Sequence, residues 1–229
     1  MAPLNPRLWA IPLLCFALGL GLGWGMATFL PQWVKPAEPP PAQPSLDIDL
    51  GYAQSMLVHH QQALVMASLI LEEVEGSEPS PVQGLAKRIR QAQALEIENI
   101  RGWLAGQEEA GLPPDGDLMG WMKRQRDQLN VNETLYLARC EASPLGMAGL
   151  VDSASVKKLG RLEIPLPQRE QEFLKLMIEH HEGAVQMSTL PARAATTSFI
   201  RHMAKHVLQT QSQEILQMRR WLQAAGPGS

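Results

Sequence analysis

Two stretches of this chain combine nitrogen and sulfur donors at matching intervals. "MLVHHQQALVM" supplies Met56, His59, His60 and Met66, and "MIEHHEGAVQM" supplies Met177, His180, His181 and Met187. Four of the chain's six histidines sit in these two dipeptides. At helical periodicity each set of donors spans about a third of the circumference, so all four side chains of a set can look into one interhelical space. Imidazole with thioether suits Cu(I), and imidazole with carboxylate and water suits Cu(II). Zinc rarely takes thioether, no Cys-x-x-Cys framework is present, and calcium or magnesium would need clustered oxygens. Copper is the expected ion, with zinc or iron less favoured.

Carboxylates belong to the same constellation. Glu96 and Glu214 each fall on the apolar stripe of a later helix, where a charged carboxylate needs a metal ion or a histidine N–H beside it. Di-iron bundles place a Glu on two helices and Glu-x-x-His on the other two. Here the second pair reads Met-x-x-His, so a hard ligand has become a soft one, which argues against iron oxidation chemistry. A plainer explanation stands beside the metal: methionines at helical spacing fill cores, and histidine–glutamate hydrogen bonds can lock a bundle, with one histidine of each pair half exposed. Asp49 and Glu170 read as helix-start charges, and His202 and His206, four apart, fall on the edge and outside of their helix.

The elements that carry these residues form an internal repeat. Tyr52, Met56, His59, His60, Ala63 and Met66 recur 121 positions later as Phe173, Met177, His180, His181, Ala184 and Met187. Each motif helix is followed by a partner. Leu85, Ile89, Ala92, Glu96, Ile100 and Trp103 lie on one face of the first partner, and Glu96 falls on Glu214 at an offset of 118. Two such hairpins predict an all-α, ferritin-like four-helix bundle over 47–225: repeat one at 47–107, a connection at 108–169 and repeat two at 170–225. The connection is long enough to cover something or carry function. It holds predicted helices near "DLMGWMKRQRDQLN", "ETLYLARCEA" and "DSASVKKLGRL", and no histidine.

Ahead of the bundle, "LWAIPLLCFALGLGLGWGMATFL" at 8–30 lacks charge and is long enough to cross a bilayer. It is long for a cleaved signal and no Ala-x-Ala site follows, so an uncleaved single-pass anchor is expected. Residues 1–7 would lie in the cytoplasm, the proline-rich stretch 31–46 would act as spacer, and the C-terminal domain would stand outside the cytoplasm, in the periplasm or at the cell surface. In 229 residues the formal charge is −3 with no basic run, which excludes a nucleic-acid binder. Eleven methionines against four Phe and two Tyr describe either a pliable core or a store of soft ligands.

The paired motifs, with partner helices reading "QALEIENIRGWL" and "QSQEILQMRRWL", resemble the domain of unknown function 305 family (DUF305) over roughly residues 47 to 225. The resemblance implies a ferritin-like four-helix bundle and, from copper-associated members outside the cytoplasm, a binding role for His59, His60, His180, His181, Met56, Met66, Met177 and Met187. A protein that donates or accepts copper would be the partner. The chain departs from the family pattern in Glu170 for the usual Asp, Ser188 for the usual Ala, and an early Pro191 in the third helix. The expected function is copper binding, buffering or transfer, without turnover. The alternatives are a ferritin-like metal-dependent oxidoreductase and a metal-free interaction module locked by His–Glu pairs.

Overall fold

A computed structural model describes residues 46–71 and 78–225. The expected cytoplasmic N-terminus, the membrane span over 8–30 and nearly all of the proline spacer lie outside the described residues. Among the described residues no helix is long and apolar enough to cross a membrane. Those residues form seven α-helices and no strand: α1 (Asp47–Ile70), α2 (Pro81–Gly106), α3 (Gly120–Arg124), α4 (Val131–Ala142), α5 (Ser153–Leu159), α6 (Leu166–Ala194) and α7 (Ser198–Ala225).

The four long helices are the two hairpins. α1 packs on α2 and α6 packs on α7, while α1 and α6 run antiparallel against each other through the centre. Their register is visible in two contacts: Tyr52 meets Ser188, and His59 meets His180. The short helices of the connection pack on the flank of that central pair, α3 and α5 against α1, α4 and α5 against α6.

Helix ends follow local chemistry. Ser80 and Asn130 form capping boxes with Gln83 and Glu133 at the starts of α2 and α4, and Asp152 caps α5. α1 departs from expectation here. It begins without a side-chain cap, and the two aspartates of its first turn, Asp47 and Asp49, are engaged elsewhere. Asp47 pairs with Arg124 and Gln125 of the connection. Asp49, fully buried, accepts hydrogen bonds from the Thr196 and Thr197 amides and the Thr197 hydroxyl at 2.8, 2.7 and 2.6 Å, and so caps the start of α7. Its repeat-mate Glu170, on α6, accepts the Ser80 hydroxyl at the start of α2. Each repeat's leading acid therefore serves the other repeat's second helix, where the N-terminal dipole favours it. Pro191 does not end α6, which continues to Ala194.

The core falls into two apolar clusters. One holds Met56, Met187, Ile97, Ile100 and Val207 with much of the connection; the other holds Met66, Met177, Ile89, Phe173 and Met218. Between them lie the four histidines, none exposed at all. The two methionines of one motif are thus split between the clusters. Each side of the histidine layer is faced by one thioether from either repeat, because α1 and α6 are antiparallel.

Candidate metal centre

Periodicity brings His59 and His60 to the buried side of α1 together with Tyr52, Met56, Ala63, Met66, Ala67 and Ile70, all at zero exposure. The equivalent face of α6 buries Phe173, Met177, His180, His181, Ala184 and Met187 in the same way. Adjacent residues on a helix diverge by about 100°, so each dipeptide splits its rings. His59 and His180 meet face to face between α1 and α6, ring centroids 3.6 Å apart and tilted by 36°. His60 and His181 turn outward to the second helix of their own hairpin. His60 Nε2 stands 2.5 Å from Glu96 Oε2, within ion-pair distance but without hydrogen-bond alignment. His181 Nε2 lies 2.9 Å from Glu214 Oε2 and donates to it.

Hydrogen bonding assigns the His180 tautomer. His180 Nε2 lies 3.0 Å from the His59 carbonyl, which can only accept, so the proton sits on Nε2 and the lone pair on Nδ1. His181 turns Nε2 to Glu214 in the same way, which leaves its Nδ1 clear of that contact. Neither Nδ1 has a hydrogen-bond partner among the described residues, nor does His60 Nδ1 or either nitrogen of His59. A ring whose N–H is fixed by an oxygen and whose other nitrogen is free is the arrangement that holds histidine ligands in metal sites. On the flanks of the layer, Gln93 and its repeat-mate Gln211 are also buried with unpartnered amide oxygens.

His59 and His180 are held neutral. Burial pushes the His59 and His180 pKa values well below the ordinary imidazole range, and the neighbouring histidines push in the same direction. Leaving a buried polar group unpaired costs about 1–3 kcal/mol, so this layer is tolerated in the fold without being stabilised by it. An ion taking the free lone pairs would remove that penalty. The donors fit a soft or borderline cation by type and by available lone pairs. They are not gathered round one point: among the described residues no three His, Cys, Asp or Glu side chains already form a metal-holding group. Coordination therefore requires rotation of at least some rings.

Three expectations need correction. No histidine of either pair is half exposed. The glutamates do not sit at the centre of their stripes: α2 buries Leu85, Ile89, Gln93, Ile97, Ile100 and Leu104, leaving Glu96 at the margin with 14% of its side chain exposed, and Glu214 with 24%. Helical periodicity defines a stripe only to within about a residue, and packing of α2 on α1 chose the face centred on Gln93 and Ile97. Trp103, placed on that stripe, instead stacks on Phe199 of α7 at 5.8 Å.

The connection closes the opposite side. Residues 147–151 lie on α1 and α6, where Gln62 holds Val151 by both backbone groups, N–H at 2.7 Å and carbonyl at 2.8 Å. Met147 is fully buried, and Tyr136 donates to the Ala148 carbonyl. The approach is so close that a Cβ on Gly183 would lie 2.5 Å from the Ala148 oxygen, and Gly149 takes a φ of +100° that favours glycine. Sequence reasoning missed this strap, although "LGMAGL" and the "HHEG" glycine carry its only signal.

Residues 49–222 match the family described as Domain of unknown function (DUF305). The chain belongs to the DUF305 family. Among solved structures it is similar to a DUF305 protein from Streptomyces coelicolor described as secreted, at 30% identity and a TM-score of 0.62, covering 79% of this chain and 95% of that one. A DUF305 fragment from Deinococcus radiodurans follows at 26% identity and 0.55, with 81% and 99% covered. CopM in its Cu(II)-bound form shares the fold at 23% identity and 0.53, with 78% and 97% covered. No curated protein gives a significant match.

Proposed function

We propose that this DUF305 domain binds copper through the histidine layer and buffers it or hands it to another protein, while tethered outside the cytoplasm by residues 8–30. The observation that carries the reading is the set of four buried imidazoles with unpartnered nitrogens: Nδ1 of His180 and His181, and both nitrogens of His59 and His60. Met56 and Met187 on one side, and Met66 and Met177 on the other, supply thioethers to a Cu(I) ion entering the layer. Glu214 orients His181, Glu96 stands beside His60, and both carboxylates would complete a harder donor set for Cu(II). The copper held by CopM in Cu(II)- and Cu(I)-bound forms agrees with a fold that accepts both states. The secreted Streptomyces coelicolor protein agrees with an extracytoplasmic domain. Coordination without turnover is the chemistry proposed, since the donors are soft and the layer is enclosed.

The His181–Glu214 hydrogen bond favours a second reading, a metal-free bundle locked by histidine–glutamate pairs. Metal analysis of protein made outside the cytoplasm, comparing the wild type with alanine at His59, His60, His180 and His181, separates the two. Melting scans with Cu(I), Ag(I), Cu(II), Zn(II) and Fe(II) accompany it, because an ion that prefers the native state raises the melting point. Copper at stoichiometric level in the wild type and a shift largest with the soft ions support the proposal. No shift with any ion refutes it, and oxygen consumption with Fe(II) would move the protein to the oxidoreductase class.

A further inference from the structure

α2 and α7 diverge enough to leave two clefts, one over Glu96 and one over Glu214, of about 480 and 450 Å³. They are images of one another under the internal repeat. Ala92, Leu95, Glu96 and Asn99 in the first correspond to Thr210, Gln213, Glu214 and Gln217 in the second. Their floors are equivalent, since each glutamate touches a buried histidine. Their walls are not.

The cleft over Glu96 is walled by His202, Met203 and His206 of α7. His202 and His206 are exposed and lie one turn apart on the same face. His206 Nε2 is 3.5 Å from Glu96 Oε1, while the other oxygen of the same carboxylate is the one beside His60. Glu96 thus spans from a surface histidine to a buried one. At the matching positions by the offset of 118 the other cleft has Gly84, Leu85 and Arg88. It loses both imidazoles and the thioether, and Arg88 and Arg220 stand among its lining residues, the Arg88 guanidinium donating to the Gly84 carbonyl.

We infer that His202, His206 and Glu96, which do not already form a metal-holding group, draw together on the incoming copper ion as a surface docking site, and that the ion reaches the buried histidines through this cleft. The inference rests on the metal-binding reading of the layer. Exposed imidazoles exchange water-borne ions readily and prefer Cu(II) or other borderline cations. The carboxylate then offers its two oxygens to successive positions of the ion, first beside His206 and then beside His60. At the twin cleft the same path exists in outline, but two arginines in its lining weaken its attraction for a cation. The strap at 147–151 covers the other flank of α1 and α6.

Stopped-flow mixing of the apoprotein with Cu(II) supplied as its glycine complex tests this, with metal content after gel filtration as the second readout. In the H202A/H206A variant, loading should slow by about tenfold, the order of the affinity lost when one supporting partner of a metal ligand is removed, with the final copper content unchanged. Both positions are exposed, so melting of the variant's apoprotein should match the wild type. Arg88→Ala, in the twin cleft, should raise the loading rate or leave it unchanged. Loading of H202A/H206A at the wild-type rate overturns the docking site while leaving copper binding intact. Absence of copper from the wild type itself overturns both.

Discussion

Two neutral imidazoles stacked at the centre of a bundle make the stability of the metal-free protein fall as pH falls. The sign follows from proton counting. In the unfolded chain His59 and His180 titrate near 6.5, whereas in the fold burial and the adjacent histidines hold both well below that. Below pH 6.5 the unfolded state therefore binds more protons than the folded one, and stability rises with pH through this window. The loss begins near 6.5 and continues downward until the folded rings themselves take protons. At pH 5.5 each ring contributes a loss of at most about 1.4 kcal/mol, so the pair amounts to at most about 3 kcal/mol relative to pH 7.5. That is a large part of an ordinary domain's stability of about 5–15 kcal/mol. The window lies above the range in which unfolded carboxylates titrate, near 4. Urea unfolding of the head domain in chelator at pH 7.5, 6.5 and 5.5 measures the effect. A variant with leucine at both positions should lose most of the slope. Equal unfolding free energies at 7.5 and 5.5 would refute the claim that these rings are buried and uncharged.

Two further perturbations address the frame around the layer. Tyr52→Phe removes the 2.8 Å hydrogen bond to Ser188, whose own proton goes to the Ala184 carbonyl, and should cost about 1 kcal/mol. Ser188→Ala strands the buried tyrosine hydroxyl and should cost more, while the double variant copies the apolar Phe173–Ala67 pair of the other repeat. A double-mutant cycle in urea that shows no coupling would contradict the contact. Gly183→Ala puts a methyl 2.5 Å from the Ala148 oxygen and should destabilise by about 1–3 kcal/mol while exposing the strap to protease. Unchanged protection of residues 143–151 would show that the strap does not rest on α6.

Much of the architecture is legible in the residues because burial on a helix leaves a periodic trace. Repetition of Tyr/Phe, Met, His-His, Ala and Met at 121 positions exposes the duplication, and the same stripe names the residues that are fully buried. Stripes of weaker contrast are legible only to within a residue, as Glu96 and Trp103 illustrate. Ser188, a departure from the family pattern, is explained only by Tyr52 on another helix, since the two are 136 residues apart.

Which residue types enter the layer, and that the two copies supply equal sets, are properties of the sequence alone, because donor chemistry and helical spacing are local. Partnership is not local. That His59 faces His180, that the two methionines of one motif serve opposite sides of the layer, and that Asp49 binds the amides at the start of a helix 147 residues away were decided by the antiparallel packing of α1 on α6. Side-chain periodicity states which face is buried, and only the docking of one face on another states what it meets.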